Sequence, residues 1–69
     1  MTKAMKKIVE AAETEARNAY IAGDYAKASA SYAHVSRMYD VEYRMSGKRN
    51  MLEAASGCAE MASKMAALA

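Results

Sequence analysis

Sixty-nine residues with a formal net charge of +2, no Trp, no Phe and no Pro describe one small domain, residues 1–69. The chain lacks an apolar run long enough to span a bilayer and lacks the charged-then-apolar layout of a leader, so it reads as a whole small cytosolic protein or an excised domain. A charge this mild implies by itself neither nucleic acid nor a membrane surface.

Thr2 is placed to cap a first helix running from Lys3 to about Ala22. Met5, Ile8, Ala12, Ala16 and Ala19 form its apolar stripe, with Val9 and Tyr20 beside it. Glu13 and Arg17 stand four residues apart in the favourable order for an ion pair. Lys3, Lys6 and Lys7 fall in the first turn or just beyond it, where positive charge opposes the helix dipole.

Gly23 followed by Asp24 combines a helix-ending glycine with the cap of the next helix. So tight a turn makes the first two helices antiparallel neighbours. The second helix runs from about Tyr25 to Met45. Tyr25, Tyr32 and Tyr39 recur every seven residues along it, with Ala28 and Val35 between them, which draws one stripe down the helix. Ala26, Ser29, Ala30, Ala33 and Ser36 make a thin face where another backbone can come close.

Gly47 is the second stop signal. Asn50 with Glu53 three residues later resembles a capping box, so the third helix is expected from Met51 to about Leu68. Its main stripe is Met51, Ala55, Cys58, Ala62 and Met65, and a second line is Ala54, Met61 and Leu68. Gly57 costs a helix interior about 1 kcal/mol relative to Ala, which a close crossing against another helix would explain. Three helices over about 3–22, 25–45 and 51–68 give an all-α, three-helix up-down-up bundle.

Large aliphatic side chains are few, so seven Met and five Tyr must supply much of the volume. A core padded with Ala gains little per residue. Self-association, through the small-residue face of the third helix, or a protein partner is therefore expected. The lone Cys58 cannot form an internal disulfide and fits a reducing compartment.

No residue set points to an enzyme, a metal or a cofactor. His34 stands alone and Cys58 lies among small apolar residues. Gly47-Lys48 is not a phosphate loop, because Glu42 and Arg49 occupy positions that need Gly and Ser or Thr. The topology instead gathers Lys3, Lys6, Lys7, Arg44, Lys48 and Arg49 at one pole, with Arg37 further up and Glu10, Asp40, Glu42 and Glu53 interspersed. Tyr20, Met38, Tyr43, Met45 and Met61 do not all fit the core stripes and are the candidate partner-facing residues.

The run Ala22-Gly23-Asp24-Tyr25-Ala26-Lys27-Ala28, followed by Tyr32-Ala33-His34-Val35, resembles the turn and second helix of microtubule-interacting-and-trafficking (MIT) domains. Its G-x-Y-x-x-A-x-x-x-Y spacing is also similar to half of a tetratricopeptide unit. The resemblance implies a three-helix binding module that receives a partner peptide or helix beside helix three, near Met51, Ala55, Met61, Met65 and the facing tyrosines. The resulting expectation is a non-enzymatic module that binds a partner helix or surface through Tyr, Met and the basic pole. Two alternatives stand beside it. One is a regulatory or inhibitor protein of the kind encoded by phages and mobile elements. The other is weak nucleic-acid or phosphate binding by the basic pole.

Overall fold

The computed structural model describes Met1–Ala69 and contains three helices: α1 (Lys3–Ile21), α2 (Tyr25–Ser46) and α3 (Arg49–Leu68). They run up, down and up in an all-α bundle. Local chemistry explains most of the boundaries. The Met5 N–H donates to Thr2 Oγ1 at 3.1 Å and starts α1. At its end the Gly23 N–H donates to the Tyr20 carbonyl at 3.0 Å and the Asp24 N–H to the Ala19 carbonyl at 2.9 Å, the paired bonds of a Schellman stop. Gly23 has φ 78°, which a side chain would resist. Asp24 then accepts from the Lys27 N–H at 3.2 Å, so one residue closes α1 and caps α2. Gly47, at φ 69°, ends α2 in the same left-handed way.

α3 begins two residues earlier than the sequence pattern suggests. Lys48, not Asn50, is its N-cap, and no side chain caps it. Glu53, the expected other half of a capping box, instead faces Arg49 at 3.9 Å. On α1 two residues exchange roles: Val9 is buried, whereas Ile8 is half exposed. The stripe therefore passes through Val9, Ala16 and Ala19. The expected Glu13–Arg17 pair does not form; Glu13 accepts from Tyr39 of α2. Gly57 faces open space, since a Cβ there would meet nothing within 4 Å, so no helix of this chain crosses at that point.

The bundle is open in cross-section. α2 packs against both neighbours, while α1 and α3 scarcely touch. Three helices side by side would span roughly 23 Å between outer Cα atoms and a closed triangle about 14 Å. The Cα envelope measures 34 × 21 × 13 Å, wider than the triangle and thicker than the roughly 5 Å of a flat row, so the three axes form an open V. The tyrosine stripe gives the reason, because bulky side chains on α2 project into the gap between α1 and α3. Tyr25 and Tyr32 pack on a core cluster of Ala19, Ala28 and Met65.

The α2–α3 interface is close and in register. Ser29 Oγ donates to the Ala62 carbonyl at 2.9 Å and Ser36 Oγ to the Ala55 carbonyl at 2.8 Å. Donors and acceptors both step by seven residues in opposite directions, so this is one seam with Ala33 set opposite Cys58. Ser29, Ala33 and Ser36 of the thin face expected on α2 make this seam, whereas Ala26 and Ala30 of the same set are exposed. Only seven residues are fully buried: Val9, Ala16, Ala19, Ala28, Val35, Ala55 and Met65.

Candidate functional site

At about 100° per residue, α2 presents three directions. Tyr25, Tyr32, Tyr39 and Tyr43 point forward, and all four are half-buried. Ser29, Ala33 and Ser36 point to α3. Ala30, His34, Arg37, Val41 and Met45 point backward, away from both neighbours. The molecule thus has a front groove between α1 and α3 and a back surface made by α2 with the outer sides of its neighbours.

The front groove is filled at one end by the Ala19–Ala28–Met65 cluster and its tyrosines. Toward the basic pole it opens into a cavity of about 380 Å³ lined by Lys6, Val9, Glu10, Glu13, Tyr39 and Met51, among others. Tyr39 Oη donates to Glu13 Oε1 at 2.5 Å. Burial, then this hydrogen bond and the carboxylate's charge, hold the Tyr39 hydroxyl protonated far above its ordinary range. Burial and the charge of Glu13 also push the Cys58 thiol up, which suppresses the thiolate a nucleophile needs. His34 lies on the exposed back of α2, about 200° around the helix from Tyr32. No group of three or more metal-ligating side chains assembles.

The basic pole forms as the topology requires: α1 starts there, α2 ends there and α3 starts there. Lys3, Lys6, Lys7, Arg44, Lys48 and Arg49 are all exposed. The acidic residues among them are largely engaged. Asp40 holds Arg44 at 3.1 Å, Glu53 faces Arg49 at 3.9 Å, and Glu42 pairs with the Met1 ammonium in a nearly buried contact. Lys3, Lys6, Lys7 and Lys48 have no carboxylate partner. Neither α1 nor α3 carries an acidic residue in its first turn. Two positive helix ends and four free ammonium groups therefore gather at this pole around the negative C-terminal end of α2, Lys6 and Lys48 toward the front cavity.

The five candidate apolar residues divide. Met45 is 79% exposed and Tyr20 45%, the latter tilted against Tyr25 with ring centroids 6.1 Å apart. Met38 and Tyr43 are half-buried. Met61 packs on the core cluster and is largely used by the fold. Ala55 and Met65, which the MIT resemblance implied as groove residues, are buried. Five exposed large apolar residues lie outside the anticipated set: Ile21 at 74%, Leu68 at 57%, Val41 at 53%, Ile8 at 51% and Leu52 at 38%. Val41 was discoverable, since nine residues from Tyr32 turn it about 180° away from the stripe. Ile8 was not, because it and Val9 both fit an apolar stripe until α2 is in place.

No known protein family, characterised protein or solved structure matches the chain.

Proposed function

We propose that this chain is a non-catalytic protein-binding module that takes an acidic partner at its basic pole. One observation carries the reading. The pole keeps four unpaired lysines against two helix dipoles, and beside them leaves Ile8, Val41 and Met45 exposed, in a chain with only seven buried residues. Each choice weakens the isolated fold. Ile21 and Leu68 are exposed as well, at the opposite end of the bundle. It is therefore the combination of exposed apolar side chains with four unpaired lysines that marks the basic pole as a site whose use lies outside the folded chain. The weak likeness to trafficking-type helical modules agrees with a binding role.

The test is a photo-crosslinking amino acid placed at Met45 or, as the control, at Ser63 on the exposed side of α3, in cells that make the protein. A discrete protein adduct is expected from Met45 and not from Ser63, and it should disappear when Lys3 and Lys7 are changed to Glu. A nucleic-acid adduct at Met45, or equal labelling from both positions, would refute the proposal.

A further inference from the structure

The back surface carries more information than the pole alone. Ala4, Ile8, Ala11 and Glu15 follow one another at four- and three-residue steps along α1, and His34, Met38, Val41 and Met45 do the same along α2. Such spacing makes each set one line on its helix. α1 and α2 are antiparallel, fixed in register by Tyr39–Glu13, Lys27–Glu15 and Met1–Glu42. The two lines therefore form the opposite banks of a furrow along the back of the helical hairpin.

Toward the turn the furrow widens to a cavity of about 410 Å³ lined by Ala11, Thr14, Glu15, Asn18, Ala22 and Lys27, among others. Lys27 and Glu15 face each other across it at 3.6 Å. Toward the basic pole it is apolar, with Ile8 from one bank and Met38, Val41 and Met45 from the other. Small residues at Ala4 and Ala11 leave room beside Ile8. The crests that border the apolar half carry a cationic excess: Lys3 and Lys7 on α1 with Glu10 beside them, and Arg37 and Arg44 on α2 with Asp40 beside Arg44. Of these only Arg44 has an acidic partner, Asp40, and its side chain is still largely exposed.

We infer that this furrow seats an acidic amphipathic helix, its apolar stripe on Ile8, Met38, Val41 and Met45 and its carboxylates over the two cationic crests. The inference rests on the module reading above and adds the face, the partner's secondary structure and its charge. Charge complementarity selects the occupant. A second copy placed by a two-fold axis would bring the same lysines toward each other. The spacing selects a helix, because Met38, Val41 and Met45 cover about 10 Å of α2, two turns, and match a partner read at i, i+3 or i+4, and i+7.

The probe is a synthetic helix of Leu and Glu with Leu in an i, i+3, i+4, i+7 stripe, fluorescently labelled and followed by anisotropy. Its controls are a peptide of identical composition with Leu scattered and a Leu/Lys version of the stripe. The striped acidic helix should bind at least about tenfold more tightly than either control, and added salt should weaken it. Ile8→Ser with Met45→Ser should weaken it by about tenfold or more while leaving the circular dichroism spectrum unchanged, since both side chains are already exposed.

Unchanged affinity in that double variant, with loss on Lys6→Glu and Lys48→Glu, would overturn the furrow and leave an acid-binding module that uses the front of the pole. Equal binding of the scattered peptide would overturn the helix. No binding of any acidic peptide would overturn both proposals. Tighter, Met45-dependent binding to phosphatidylserine vesicles than to the helix would overturn the protein partner in favour of a membrane surface.

Discussion

Gly57 offers the sharpest test of how the helices are arranged. It lies inside α3 (Arg49–Leu68), and a Cβ added to it meets nothing within 4 Å. Its φ is not positive, unlike those of Gly23 and Gly47, so the helix itself does not need glycine there. Ala at this position should remove the backbone-entropy cost of Gly, about 0.5–1 kcal/mol. In a domain of this size 1 kcal/mol moves the Tm by about 4–8 °C, so Gly57→Ala should raise it by roughly 2–8 °C. Gly57→Leu is the discriminating partner variant. Leu is nearly as good a helix former as Ala, so an open face should tolerate it with most of the gain. The assay is thermal and urea unfolding followed by circular dichroism at two protein concentrations, with the urea m-value expected to stay constant. A Leu variant that melts below the wild type, more so at the higher concentration, would refute the open face. A second copy would then be the backbone-close neighbour that the sequence led one to expect.

Four further outcomes follow from the contacts. Lys48→Asp supplies the missing side-chain cap of α3 and a favourable charge at its dipole, so urea unfolding should show a gain of about 1 kcal/mol. Ser36→Ala loses one interhelical hydrogen bond and should cost about 0.5–1.5 kcal/mol in the urea midpoint, whereas Ser36→Val also forces the tight α2–α3 seam apart and should cost more. Tyr39 keeps its proton in the fold after an unfolded chain would lose it near pH 10, so its contribution is present below that pH and lost as pH rises through the folded value. Tyr39→Phe should accordingly show a smaller drop in Tm than wild type on going from neutral to strongly alkaline buffer. Amide hydrogen exchange should find α1 less protected than α2, because α1 is held from one side only and α2 packs more extensively on α3 than on α1.

Features fixed by neighbours in the chain were legible before any coordinates. Gly23 and Asp24 announce the first turn because a left-handed residue and a capping carboxylate are local requirements. Tyr25, Tyr32 and Tyr39 share a face because the helix period puts them there. What escaped was decided across helices. Ile8 and Val9 are adjacent aliphatics about 100° apart, and only the position of α2 chooses between them. Glu13 had a local partner on offer in Arg17, but Tyr39 reaches it from another helix. Asn50 and Glu53 match a capping pattern, yet the chain leaves Gly47 ready to turn at once, so α3 starts before that pattern is reached. The basic pole was legible because it follows from topology alone. The furrow was not, because it needs the register of α1 on α2 and the knowledge that Val41 and Ile8 are left outside.

The same geometry links stability to binding. The α2–α3 seam has two serine hydroxyls donating to facing carbonyls and no bulky residue in the way, so it closes tightly. The α1–α2 contact is built on Val9, Ala16 and Ala19 against Ala28 and Val35, with little volume. Beside the Tyr39–Glu13 hydrogen bond and the nearly buried Met1–Glu42 pair at one end, its other ion pair, Lys27–Glu15, is more than half exposed on both sides. Exposed pairs of that kind contribute little. An occupant of the back furrow would touch α1 and α2 at once and cover the joint that is otherwise weakest. Its binding free energy would add to that of folding, because it recognises only the docked hairpin. A Leu/Glu helix should therefore raise the Tm and selectively slow exchange of α1 amides. Protection that rose equally across all three helices would be explained by general stabilisation, and would remove the reason for placing the occupant between α1 and α2.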